Sequence, residues 1–198
     1  MTVRRANVED IPTIADALAE AFAGDPPMMW FTPDDDGRVE RLRPYFRAAL
    51  ERLHMPFGEV WMNDDPVGAA AWVEPGNWPF STWQRRSMLP IELRLFGRHP
   101  LRMLRGAAAI EQNHPRKPHW YLEYIGVERA RHGAGAGSKM LTAMLERCDA
   151  ERVSAFLNAG SPRSRELYRR HGFEVTEEFR LPYDGPPLWR MWREPQGA

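Results

Sequence analysis

The run His132-Gly133-Ala134-Gly135-Ala136-Gly137-Ser138 constrains the fold of this chain more than any other feature. Before it, His119 to Val127 is rich in aromatic and branched residues that suit a buried strand. After it, Met140, Leu141, Met144, Leu145 and Cys148 recur on one face of a helix. A strand, a glycine turn and a helix in that order predict an α/β architecture. Glycine at alternate positions lets successive N–H groups point inward at the helix N-terminus, which is phosphate-binding geometry. The same glycines would also serve a tight strand-to-helix turn with no ligand.

The spacing excludes two common phosphate loops. Ser138 stands where a dinucleotide fingerprint requires its last glycine, and no Gly-Lys-Ser/Thr tripeptide exists to reach nucleoside triphosphate and magnesium. Nor is Ser138 an elbow nucleophile, because Gly-x-Ser-x-Gly is missing around it.

Along the rest of the chain, Val3 to Ala6 reads as a first strand, and Asn7 caps a helix carrying Ile11, Ile14, Leu18 and Phe22. The proline-rich stretch Asp25 to Pro33 reads as a packed loop, and Gly37 to Leu53 as a second helix. Gly58–Met62 and Val67–Val73 flank Asn63-Asp64-Asp65-Pro66 and predict an antiparallel hairpin. Residues 82 to 111 favour helix, with Pro90, Gly97 and Pro100 expected to break it into pieces. Further strands are expected at Val153–Leu157, Phe173–Phe179 and Leu188–Trp192, the last closing the sheet, with a short helix at Arg163–His171 ended by Gly172.

Composition narrows the class. The 198 residues suffice for one core, so a single domain over 1–198 is expected. Lysine plus arginine balances aspartate plus glutamate at 27 each, which argues against nucleic acid or a membrane surface as partner. The single cysteine, Cys148, forms no internal disulfide, and the N-terminal residues lack an apolar signal core, so the expected location is cytoplasmic. The six histidines show no zinc-ligand spacing, and no metal site is expected.

Ile125-Gly126-Val127, the loop 132–138, Pro162-Arg163-Ser164 and Tyr168-Arg169-Arg170-His171-Gly172-Phe173 together resemble the core of the GNAT acetyltransferase family. The resemblance extends over most of the chain and is weakest from about Trp78 to Gly106. It implies a mixed, twisted sheet flanked by helices and split between two neighbouring parallel strands, with acetyl-CoA as acyl donor. It places the pantetheine arm against Ile125, Gly126 and Val127, and the pyrophosphate on residues His132, Gly133, Ala134, Gly135, Ala136, Gly137 and Ser138, with Ser164 nearby. His132 stands where the family usually has glutamine or arginine, and Ala134 replaces a basic residue.

Acyl transfer needs a neutral amine, and an amine of pKa ~10.4 is neutral only about 0.04% of the time at pH 7. By resemblance Tyr168 protonates the departing thiolate. The base is Glu123, or else Glu123 is an ion-paired sheet residue; relatives often carry a glutamate in the next strand where this sequence has Asn158. Trp30 and Phe31 are candidates for an acceptor pocket. The expected activity is acetylation of the primary amine of a small molecule by a monomer or homodimer. A CoA-binding regulatory module with little turnover and a protein N-acetyltransferase remain as alternatives.

Overall fold

The computed structural model describes residues 2–32, 36–64, 68–97, 99–128, 133 and 135–197. After β1 (Val3–Arg5), the Asn7 side chain accepts from the N–H groups of Glu9 and Asp10, while Asp10 reaches back to the Asn7 N–H. That capping box starts a 3-10 turn that runs into α1 (Ile11–Phe22), whose Ile14, Ala15 and Leu18 are buried. The proline-rich stretch is not a loop but a short helix, α2 (Pro26–Phe31). Prolines at the first helical positions lose no hydrogen bond, and the Asp25 carboxylate accepts from the Met28 N–H at 3.3 Å.

Helix α3 (Arg38–Ala49) widens into a π turn, Leu50–His54, before one last α turn, α4 (Met55–Phe57). The hairpin follows as β2 (Gly58–Asn63) and β3 (Gly68–Val73), paired antiparallel. Helix α5 (Thr82–Phe96) runs unbroken through Pro90, contrary to the expected break, and α6 (Pro100–Gln112) starts after Gly97. Pro44 and Pro90 both lie on exposed faces, so the carbonyls they leave unbonded reach water and the rings disturb no packing.

Strand β4 (Trp120–Val127), α7 (Ala136–Glu151), β5 (Ala155–Ala159), α8 (Pro162–Arg170), β6 (Glu174–Arg180) and β7 (Pro187–Arg193) complete the order. The seven strands form one sheet in the order β1-β2-β3-β4-β5-β7-β6. β7 therefore does not close the sheet as expected; it inserts between β5 and β6, and the highly charged β6 takes the edge, where exposed charge discourages pairing with another chain.

Only β4 and β5 run parallel, and their register covers Trp120↔Ala155 to Leu122↔Leu157. Both strands continue past those pairs, β4 to Val127 alongside β3 and β5 to Ala159 alongside β7. The sheet is thus split on one side of Leu122 and Leu157. One face packs α7 through Met140, Leu141, Met144 and Cys148, and the other packs α1 and α3 through Ile14, Leu18, Leu42 and Phe46. β3, covered on both faces, is buried along its whole length, which explains its small residues Ala69, Ala70 and Ala71.

Candidate active site

The split leads into a cavity of about 600 Å³. Glu123, Ile125, Asn158, Ser164 and Tyr168 all border it, so residues from β4, β5 and α8 that lie far apart in sequence meet at one place. The opposite walls come from α2, α3, α5 and α6, including Phe31, Tyr45, Phe96 and Ile110, and from Phe80 just before α5.

Glu123 reaches the cavity because β4 is irregular. Ala71 pairs with Tyr124 whereas Trp72 pairs with Leu122, so Glu123 is an extra residue with no counterpart on β3. Tyr124 donates its hydroxyl proton to Glu123 Oε1 at 3.1 Å, and the Tyr45 and Tyr124 hydroxyls are 2.8 Å apart. On the other oxygen, Oε2 lies 3.4 Å from His54 Nε2. Burial pushes the Glu123 carboxyl up to about 7, with the Tyr124 hydrogen bond pulling the other way. A carboxyl so poised exchanges a proton near neutral pH, which is what a general base requires.

Tyr168 is held at the base of α8, whose start is fixed by a capping box between Ser161 and Ser164. Burial, with a smaller contribution from Asp25, raises the Tyr168 phenol above its ordinary range and keeps it protonated. Asp25 itself is pushed up to about 6 by burial, moderated by its bond from the Met28 N–H. Ser164 borders the cavity, but its hydroxyl is already engaged by the backbone carbonyl and the hydroxyl of Ser161.

At the far end, Gly133 and Gly135 have φ of +90° and +77°, the left-handed region that glycine occupies without strain, and a Cβ on either would meet no atom within 4 Å. Among the described residues, the space beside these two glycines at the N-terminus of the 16-residue α7 is open, as a phosphate site requires. Gly137 differs: a Cβ there would sit 3.7 Å from Val127 Cγ2 and 3.9 Å from Leu167 Cδ2, so it faces the end of β4 and helix α8. Ala136 is buried at the helix start, and the Ser138 hydroxyl is 2.6 Å from His171 Nε2. His132 and Ala134 lie outside the described residues, as do Arg129 and Arg131.

At Gly126 a Cβ would meet Ala21 Cβ at 2.8 Å, so the absence of a side chain there serves the packing of α1. One sequence-based expectation needs correction. Trp30 does not border the cavity, whereas Phe31 does. The Trp30 indole turns toward α6, with the Arg102 guanidinium 5.2 Å from its ring centre and its own edge against Phe31. Cys148 is fully buried, and burial raises its thiol to about 12, which suits packing rather than nucleophilic work.

Sequence reasoning missed Asp25, Tyr45, His54 and Glu92. Asp25 had a readable signal, an acid directly before Pro-Pro, which is helix-start chemistry. His54 had none, because its placement depends on the π turn.

The comparisons with known proteins agree with this geometry. Residues 15–173 match the acetyltransferase (GNAT) family, and the chain belongs to that family. An uncharacterised N-acetyltransferase of Schizosaccharomyces pombe is 25% identical over 209 residues, spanning 99% of this chain and 84% of the yeast protein. The crystal structure of histone acetyltransferase HPA2 and related acetyltransferase from Corynebacterium glutamicum superposes with a TM-score of 0.77 at 29% identity, covering 98% of this chain and 96% of that one. The NatC complex bound to Gag peptide and CoA shares the fold at 11% identity and a TM-score of 0.52, over 98% of this chain and 97% of that one.

Proposed function

We propose that this acetyltransferase moves the acetyl group of acetyl-CoA to the primary amine of an apolar small molecule. The observation that carries the reading is the single cavity on which Glu123 and Tyr168 both open, at the mouth of the split between β4 and β5. The open cradle at α7 fits the CoA pyrophosphate, because its left-handed glycines leave room for a ligand to approach the backbone. Hydrogen bonds from amides to a charged phosphate contribute about 1.5–3 kcal/mol each, so a lysine is not needed there.

The cavity describes the acceptor. Phe22, Phe31, Tyr45, Trp78, Phe80 and Phe96 present aromatic surface, while the carboxyl groups of Asp25, Glu92 and Glu123 favour a cationic amine entering among them. Glu123 takes the proton from the amine nitrogen, directly or through a water, and the freed lone pair attacks the thioester carbonyl. As the carbon–sulfur bond breaks, its electron pair goes to sulfur, and the extra proton that the nitrogen carries after attack passes to that thiolate to give the free thiol. Tyr168 donates a hydrogen bond to that sulfur. A thiol of pKa ~8.5 is a stronger acid than the buried phenol, so full transfer from Tyr168 is uphill and its role is to stabilise the developing charge. The pattern of the tryptophan hairpin and of His114-Pro115-Arg116-Lys117-Pro118 also resembles puromycin acetyltransferase, which is compatible with a bulky aromatic amine.

The test is acetyl-CoA turnover over a panel of aryl and alkyl amines, read by free-thiol release, with Tyr168→Phe as control. Release confined to apolar amines is expected. Binding of acetyl-CoA with no release on any amine would instead identify a CoA-binding module, and release only with peptides would identify a protein acetyltransferase.

A further inference from the structure

His54 is wholly buried, yet nothing in its local sequence calls for a polar side chain. It ends the π turn Leu50–His54, a widened helical turn of the kind that recurs at functional sites because it redirects a side chain. The redirection brings Nε2 to 3.4 Å from Glu123 Oε2. Neither imidazole nitrogen, nor Glu123 Oε2, has a hydrogen bond of ordinary geometry among the described residues, although the Trp72 backbone lies close enough to the imidazole to compete for its one N–H. Buried polar atoms left without partners cost stability, so a pair of them facing each other is a relationship with a purpose.

We propose that His54 is the positioning partner of Glu123. Tyr124 fixes Oε1 and a neutral His54 donates Nε2–H to Oε2, so the carboxylate is clamped at both oxygens and keeps its remaining lone pairs for the proton of the acceptor amine. This rests on the acetyl-transfer reading above only for the amine as proton source; the clamp itself is a property of the protein alone.

The surroundings support a neutral donor. The groups facing the pair are Tyr45, Tyr121 and Tyr124, the Trp72 backbone, the ring of Phe80, and the Glu92 carboxyl, on which Arg85 acts. Burial lowers the imidazole to about 4, with the Trp72 backbone opposing, so it carries one proton through the range in which Glu123 titrates. A neutral hydrogen-bond donor favours the ionised carboxyl and holds its pKa down against desolvation. Without His54, Glu123 therefore holds its proton to higher pH and is a base over a narrower range.

The experiment follows the Glu123 carboxyl by infrared difference titration in the full chain, with Glu123→Gln as the blank. In His54→Phe the midpoint should rise by about half to one pH unit, the effect of one hydrogen bond. The acidic limb of kcat/KM should move by the same amount with unchanged KM for acetyl-CoA, and His54→Gln, which keeps a donor, should recover part of the shift. An unmoved midpoint in folded His54→Phe overturns the proposal. If that variant does not fold, long-range proton–nitrogen spectra of the wild type decide: the His54 Nε2 signal must follow the Glu123 titration and must lose that response in Glu123→Gln. An indifferent Nε2 signal overturns the proposal equally. The infrared and nitrogen readouts need no acceptor, so absence of turnover would count against the acetyl-transfer reading and not against the clamp.

Discussion

Tyr124 donates to the carboxylate of Glu123, the residue immediately before it, across 3.1 Å. Consecutive residues of a regular strand point to opposite faces, so this contact exists only because β4 is bulged at Glu123. One extra residue in a strand turns a sheet-face glutamate toward the cavity and supplies its hydrogen-bond donor at the same time.

The pH dependence of stability follows from that placement. The folded Glu123 pKa, about 7, exceeds the value near 4.5 of the unfolded chain, so between those values the folded state binds more protons and stability falls as pH rises. The ionised carboxyl costs on the order of 3 kcal/mol above pH 7, since each pKa unit corresponds to about 1.4 kcal/mol. Glu123→Gln removes this dependence. Thermal melts of the two proteins should differ little at pH 4.5 and diverge toward pH 8, the variant being the more stable.

The same substitution should reduce kcat by about 100-fold or more and abolish the rise of kcat/KM through pH 7. A variant that retained the acidic limb would exclude Glu123 as the base.

Tyr168→Phe should lower turnover by about 10- to 1,000-fold and leave acetyl-CoA affinity unchanged. The loss should be smaller for a thioester with a more acidic leaving thiol, because less negative charge then needs stabilising. An equal loss for both donors would argue for packing as the only role of the ring.

Gly135→Val places a β-branched residue at φ +77° and pushes its side chain into the open cradle. Acetyl-CoA affinity measured by calorimetry should fall at least tenfold. Gly137→Ala, whose methyl would meet neighbours at ordinary contact distances, should bind nearly as well as the wild type.

Gly126→Leu tests the opposite role. Its first side-chain carbon would stand 2.8 Å from Ala21 Cβ and 3.1 Å from Leu18 Cδ2, so overpacking should cost about 1–3 kcal/mol. A loss of that size corresponds to roughly 2–12 °C in melting temperature for a chain of this length.

Period and punctuation made much of the fold legible. The α7 stripe from Met140 to Cys148 is buried as its spacing requires, and β4, built from branched and aromatic residues, is central. Prolines misled twice in the same direction, read as breakers where helix forms, because their effect depends on position: Pro26 and Pro27 start a helix, while Pro90 sits on the exposed face inside one. The insertion of β7 between β5 and β6 was hidden since strand order is a long-range property that no local pattern encodes. In the site, the structure brings Tyr168 and Glu123 to one cavity, and the first was singled out by the family pattern around it. The clamp on Glu123 was not, since it joins His54, Tyr45 and Tyr124 through a π turn and a strand bulge, two irregularities without a period.

The roof of the cavity is contributed largely by the chain between β3 and β4, where Trp78, Phe80, Met88, Phe96, Met103 and Ile110 lie, whereas the cradle and the carboxyl base belong to β4 and α7 and the phenol to α8. The roof and the carboxyl and phenol groups are thus carried by separate stretches of the chain, so on the proposed acetyl-transfer reading a change between β3 and β4 can alter which amine enters without touching Glu123 or Tyr168.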